Sequence, residues 1–155
     1  MMILPLNLRL CAGAVLAFLL GSGGAIAGEE VAGPVRADVV RVLDGDTIEI
    51  SAQVWLGLRL TSHVRIRGID TPEIRGECAS EKAMAAQARE RLARLAGASI
   101  SIVHIADDKY AGRVIADAAA EDGTDLKAAM LATGLARPYD GGTRGDWCAT
   151  GSIRP

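Results

Sequence analysis

Residues 35–50 read VRADVVRVLDGDTIEI, and this stretch decides how the fold begins. The branched apolar residues that end at Val42 predict a strand, and the Asp44-Gly45 pair is a strong turn signal. From Thr47 to Ile50 polar and apolar residues alternate, which predicts that a second strand follows the turn. The stretch therefore places one further carboxylate, Asp46, at the point where the second strand starts.

The rest of the chain alternates between strand-like and helix-like patterns. Apolar residues at three- and four-residue steps predict a helix over 80–96 that ends at Gly97, and a short helix capped by Thr124 is predicted over 125–133. Further strands are predicted over 54–69 (two pieces or one long bent strand, broken near Gly57 and near Thr61-Ser62), 99–105 and 113–118. Five short strands with helices after the third and the fifth predict a mainly β domain, a closed Greek-key barrel of the OB type, with a plain α+β sheet as the alternative.

The N-terminus has the pattern of a secretory signal peptide. A single Arg9 precedes an apolar stretch, and small residues ending at Ala27 suit a cleavage site. The apolar stretch is short for a membrane span, so we expect a protein without a membrane anchor, secreted or periplasmic after cleavage near Ala27. The predicted organisation is a signal peptide (1–27), a short linker (28–34), the barrel domain (35–140) and an irregular tail (141–155).

Charge and cysteine content restrict the function further. Without Arg9 the chain keeps 16 of its 17 basic residues against 19 acidic ones, so attraction for a polyanion must come from a local patch. Cys78 and Cys148 remain after removal of the leader. An even pair in an exported protein indicates a disulfide, with two unpaired thiols as the alternative.

A second acidic segment lies at the end of the predicted strand over 54–69. Residues 65–73 read RIRGIDTPE, which adds Asp70 and Glu73 to Asp46 and places Arg65 beside them. Carboxylate oxygens are the ligands that hard divalent cations prefer, and the planar fork of an arginine matches the oxygens of a phosphate. The pattern favours metal-assisted hydrolysis of a phosphodiester.

The two acidic segments, together with residues 108–113 (DKYAGR), resemble the staphylococcal nuclease family. The resemblance runs from about Val35 to Tyr139 and implies an OB-fold phosphodiesterase that cleaves DNA and RNA with Ca²⁺. It implies metal ligands at Asp46, Asp70 and the backbone carbonyl of Thr71. It also implies a general base and two phosphate-binding arginines: Glu73, Arg65 and Arg113.

The resemblance is weaker around the substrate. The resemblance implies that Lys109, Tyr110 and Tyr139 lie near the bound nucleotide. The Ala111-Gly112 pair adds one residue before Arg113, so this arginine reaches a phosphate only if the loop bulges. The long C-terminal helix of the best-known family member has no counterpart here, and no stable protein partner is implied, so we expect a monomer.

Two other functions remain open from the sequence. One is a catalytically silent OB module that binds nucleic acid, an oligosaccharide or a protein. The other is hydrolysis of a small phosphodiester or nucleotide, which the acidic net charge suits better than a long polymer.

Overall fold

The computed structural model of the protein describes residues 29–148. The predicted signal peptide and residues 149–155 of the predicted tail lie outside this range. Within it, two helices and eight strands are found: β1 (Glu30–Val31), β2 (Val35–Asp44), β3 (Thr47–Trp55), β4 (Leu58–Ile66), β5 (Ile69–Asp70), α1 (Ala79–Ala96), β6 (Ser99–Asp107), β7 (Arg113–Ala120), α2 (Leu126–Leu131) and β8 (Arg137–Pro138). No helix in residues 29–148 is both long and apolar enough to cross a membrane.

Five of the strands close into a barrel. The sheet order is β1-β6-β2-β3-β4-β7, and β7 also pairs with β6, so the ring β2-β3-β4-β7-β6 has no open edge. Neighbouring strands of the ring are antiparallel except β4 and β7, which run parallel. This is the predicted OB-type barrel, mainly β with two helices. The short strand β1 extends the sheet into the predicted linker by pairing with β6.

The core lies between the barrel and its two helices. Small and branched side chains dominate it, and α1 contributes every third or fourth residue, as the sequence predicted. The largest fully buried side chains are Ile48, Ile66, Ile69, Leu92, Ile100, Leu126, Met130, Val64 and Pro72.

The structure corrects three details of the predicted elements. The second helix is shorter than predicted, and its N-cap is Asp125, whose carboxylate accepts the backbone N–H of Ala128 at 3.0 Å. Thr124 instead accepts a backbone hydrogen bond from Ala120 through its carbonyl. The predicted strand over 54–69 breaks near Gly57 as expected, but it is continuous through Thr61 because that part pairs with β3 along its length.

The hairpin that joins β3 to β4 is long and apolar at its tip. Five large side chains there are exposed, and Trp55 keeps 73% of its surface accessible: Val54, Trp55, Leu56, Leu58 and Leu60. The tip of the hairpin, residues 54–60, carries none of the predicted site residues.

Candidate functional site

The Asp44-Gly45 turn packs against α1 and against the segment that follows β5. A Cβ atom added to Gly45 would lie 2.6 Å from the Cβ of Ala88 on α1 and 3.0 Å from the Cβ of Thr71. Such distances are too short for any side chain, so the close approach requires glycine. The packing brings the residue before Asp46 into contact with Thr71, another of the predicted metal-binding residues.

Asp46 is buried and paired with Arg65. Thr47 faces Arg65 across the β3–β4 ladder, and one terminal nitrogen of Arg65, Nη1, lies 2.6 Å from Oδ2 of Asp46. The Thr47 hydroxyl donates to Oδ1 of Asp46 at 2.7 Å. Burial raises the pKa of Asp46 above its ordinary value, and the charge of Arg65 opposes that rise.

The parallel β4–β7 pair brings the two predicted arginines together. Arg113 pairs with His63, two residues before Arg65, so both arginines project from the same face of neighbouring strands. Arg65 and Arg113 line one cavity of about 220 Å³.

The added residue before Arg113 is accommodated in a turn. Gly112 has a φ of +76°, a conformation that suits glycine, and the N–H of Arg113 donates to the carbonyl of Tyr110 at 3.2 Å. The Nε of Arg113 donates to Oδ2 of Asp108 at 2.5 Å, and its guanidinium carbon lies 4.5 Å from the centre of the Tyr110 ring. Asp108 and Tyr110 therefore fix the arginine, which lines the cavity.

Asp70 lies deep at the end of β5, where Arg137 of β8 is its register partner. The residue is only 3% exposed, and its Oδ2 accepts the indole N–H of Trp147 at 3.0 Å. Among residues 29–148, no hydrogen-bond partner is found for the other oxygen, Oδ1, although the Nε of Arg144 lies 3.3 Å away without the alignment of a hydrogen bond. Asp70 therefore offers one buried acceptor to a ligand.

The remaining predicted residues surround these groups. Thr71 is buried, whereas the Glu73 side chain is 49% exposed and contacts Arg144. Lys109 and Tyr139 line the cavity of the two arginines, and the Tyr139 ring centre lies 5.9 Å from the guanidinium carbon of Arg65. Tyr110 is exposed and lies 5.3 Å from the Nζ of Lys109.

The sequence analysis did not identify Glu81, Arg144 or Trp147. Glu81 is buried in the first turn of α1, where its carboxylate accepts the backbone N–H groups of Glu73 and Glu77 at 3.3 and 3.0 Å and so holds the loop that carries Glu73. Arg144 and Trp147 lie in the tail, which has no periodicity to signal a role. A usable signal was the cysteine pair, because a Cys78–Cys148 bond forces the tail to the start of α1.

The structure joins Cys78 and Cys148 in a disulfide. Among the described residues, Cys78, Glu81 and Cys148 also form a group whose potential ligand atoms lie within 4.8 Å of one another. Because the two sulfurs are bonded to each other, this group is not a metal site.

The donor chemistry around Asp46 and Asp70 fits a hard cation. Two buried carboxylates and the Thr71 segment supply only oxygen. Oδ1 of Asp70, which has no hydrogen-bond partner among residues 29–148, is the kind of acceptor that a bound ion satisfies. The oxygens of Asp46, Asp70 and Glu73 are not gathered within 4.8 Å of one another in residues 29–148. Instead, each carboxylate contacts a guanidinium group: Asp46 contacts Arg65, and Asp70 and Glu73 contact Arg144.

Comparison with known proteins gives two matches. A family model described as staphylococcal nuclease homologue matches residues 63–145, a span that includes both arginines, Asp70 and Glu73 and begins after Asp46. A protein of Escherichia coli described as an uncharacterized endonuclease is 29% identical over 107 residues, which are 68% of this chain and 62% of that protein. The chain therefore spans less than two thirds of the length of this relative.

Proposed function

Since this chain belongs to the staphylococcal nuclease family, we propose that it is an exported, Ca²⁺-dependent endonuclease that hydrolyses phosphodiester bonds of DNA, RNA or both. The curated relative described as an endonuclease supports the same reaction class. The proposed roles are Glu73 as general base, Arg65 and Arg113 as phosphate-binding residues, and Asp46, Asp70 and the Thr71 carbonyl as metal ligands.

One observation carries the proposal: Arg65 and Arg113 line the same cavity, and the buried carboxylate of Asp46 contacts Arg65 directly. A phosphodiester gains negative charge on its oxygens as water attacks. Two guanidinium groups that are already fixed at that place stabilise the charge without a further cost of reorganisation.

Each arginine keeps donors for the substrate. An arginine has five N–H donors. The contacts of Arg65 within residues 29–148 include Asp46 and the carbonyl of Ile69, which Nη2 reaches at 3.1 Å. Arg113 is held through its Nε by Asp108, and within the described residues 29–148 no hydrogen bond to its two terminal nitrogens is found, so they remain for a pair of phosphate oxygens.

Glu73 is suited to proton transfer because its carboxylate is half exposed and its backbone is held by Glu81. An accessible carboxylate takes a proton from water and returns it to solvent, and a positioned general base contributes about 10²–10⁴ to a rate. Ca²⁺, when bound by Asp46, Asp70 and Thr71, would supply positive charge to the phosphate oxygens.

The test is cleavage of single-stranded DNA and of RNA by the purified mature protein, with Ca²⁺ and with excess chelator. We expect cleavage only with Ca²⁺, and losses of about 10²–10³ in kcat for Arg65→Ala and about 10²–10⁴ for Glu73→Gln. Glu90→Gln and Arg94→Ala are matched controls, because both side chains are exposed on α1 and pair with each other.

Failure of the proposal has a clear form. A mature protein that binds Ca²⁺ but cleaves neither polymer is not a nuclease, and binding of nucleic acid without cleavage is the behaviour of a silent OB module. Cleavage of a small phosphodiester but of neither polymer would instead assign the narrower substrate class.

Export is supported by the signal-peptide pattern of residues 1–27 and by the disulfide, since disulfides persist in oxidising compartments. Expression of the full chain in a bacterial host tests this part. We expect the protein outside the cytoplasm with Gly28 as its first residue, and an intact N-terminus in the cytoplasm would contradict it.

A further inference from the structure

Arg144 lies among the carboxylates proposed for metal binding and catalysis. Its Nε is 3.3 Å from Oδ1 of Asp70, and its Nη1 contacts Oε1 of Glu73. Its positive charge also acts on Asp46, where it opposes the rise in pKa that burial causes. A single guanidinium group therefore neutralises the same carboxylates that a divalent cation would neutralise.

The residues that follow Arg144 hold this part of the tail in place. Cys148 is bonded to Cys78 at the start of α1, and the indole of Trp147 donates to Asp70. The backbone before them is also fixed, because the guanidinium of Arg137 donates to the carbonyls of Gly145 and Asp146 at 3.1 and 3.2 Å. These contacts fix the backbone next to Arg144, so its guanidinium group can reach only places within one side-chain length of that backbone.

Arg144 also lies beside a second feature of the site, the cavity of the two arginines. Arg144 also lines the cavity that Arg65 and Arg113 share, and its side chain is 40% exposed, so it is not enclosed by its present contacts. Arg144 therefore borders both the carboxylates of Asp70 and Glu73 and the cavity of the two arginines.

We propose that Arg144 is a tethered cation that competes with Ca²⁺ for the carboxylates of Asp70 and Glu73. This inference rests on the proposed function, because it assumes that these carboxylates lie at a metal site. In the absence of the ion, Arg144 neutralises the buried Asp70 and occupies the proposed base. Binding of the ion displaces the guanidinium toward the cavity, where a phosphate would meet three arginines in place of two.

Two plainer roles for Arg144 predict different measurements. A purely structural ion pair predicts that loss of Arg144 lowers stability and leaves Ca²⁺ affinity unchanged. A residue that binds only phosphate predicts a higher KM for the nucleic acid, again with unchanged Ca²⁺ affinity. Of the three roles, only competition predicts that removing Arg144 strengthens Ca²⁺ binding in the absence of any substrate.

The experiment is isothermal titration calorimetry of Ca²⁺ into the disulfide-bonded mature protein, without nucleic acid. We expect Arg144→Gln to lower the Kd for Ca²⁺ by about fivefold, which corresponds to the upper end of what exposed ion pairs contribute. Arg144→Lys keeps the charge and is expected to restore most of the competition. The control is Arg36→Gln, which removes the same charge from an exposed pair with Glu121, away from the cavities that Arg144 lines.

The outcomes separate this inference from the proposed function. If the wild-type protein binds Ca²⁺ and Arg144→Gln binds it with the same Kd, competition by Arg144 is wrong and the nuclease proposal stands. An equal gain in affinity for Arg36→Gln would also overturn the inference, because bulk charge would then explain the effect. If neither the wild-type protein nor Arg144→Gln binds Ca²⁺ or cleaves nucleic acid, the proposed function itself fails.

Discussion

The hydrogen bond from Trp147 to Asp70 gives a sharp test of how the tail supports the site. Trp147→Phe keeps an aromatic ring but removes the indole N–H that reaches Oδ2 of Asp70 at 3.0 Å. Because Asp70 is only 3% exposed, water cannot replace the lost donor. The other oxygen already has no hydrogen-bond partner among residues 29–148, so the substitution leaves the carboxylate supported mainly by arginine charge.

The size of the effect follows from these contacts. A hydrogen bond to a charged group contributes about 1.5–3 kcal/mol, and the unpaired acceptor is buried, so we expect Trp147→Phe to lower the free energy of unfolding by about 2–3 kcal/mol. For a domain of this size that is a fall of roughly 6–15 °C in Tm. Urea unfolding followed by circular dichroism measures it without relying on the fluorescence that the substitution alters.

Trp55→Phe is the matched control, since Trp55 is 73% exposed at the hairpin tip and lies outside the site. We expect a change within about 0.5 kcal/mol there, as for most surface substitutions. If Trp147→Phe also stays within 0.5 kcal/mol of the wild-type protein, the indole N–H does not support Asp70 and the reasoning is refuted.

Three further predictions concern the disulfide, the loop of Glu73 and pH. Replacing both Cys78 and Cys148 by serine should lower the free energy of unfolding by about 4 kcal/mol, because the bond closes a separation of 70 residues; a change below about 1 kcal/mol in urea titrations would contradict this. Glu81→Ala should reduce kcat by about 10–100-fold with little change in KM, because the loop of Glu73 loses its anchor; unchanged steady-state kinetics would show that the loop is held otherwise. Burial raises the pKa of Asp46, so this carboxyl takes up its proton at a higher pH than an ordinary aspartate. On acidification, calorimetry should show Ca²⁺ affinity falling before the ordinary value of 3.8 is reached; an affinity that stays constant down to 3.8 would contradict the shift.

Much of the barrel could be predicted because local patterns and tertiary pairing agree in it. The turn at Asp44-Gly45, the stripe of Ala85, Ala88 and Leu92, and the end of α1 at Gly97 each follow from residue type and spacing. The cap of α2 was misassigned because Thr124 and Asp125 both suit an N-cap, and only the backbone pairing of Thr124 with β7 decides between them.

The candidate site was predictable only where its residues lie in recognisable segments. Four of its residues lie in or directly after strands or turns, so their places could be inferred from the sequence: Asp46, Arg65, Asp70 and Glu73. The position of Arg144 depends on a covalent bond and on the packing of Trp147, which are long-range contacts of an aperiodic segment. Such contacts leave no periodic pattern in the sequence, and this is why the tail was predicted only as irregular.

The parallel pairing of β4 with β7 has a consequence for how the protein matures. Helix α1 and strand β6 separate Arg65 from Arg113 along the chain, and the two arginines meet only when the last barrel strand docks. Contacts between distant parts of a chain form late and slowly, because the intervening segments must be ordered first. A newly made or partly unfolded chain therefore carries every residue proposed for hydrolysis but is inactive until the barrel closes.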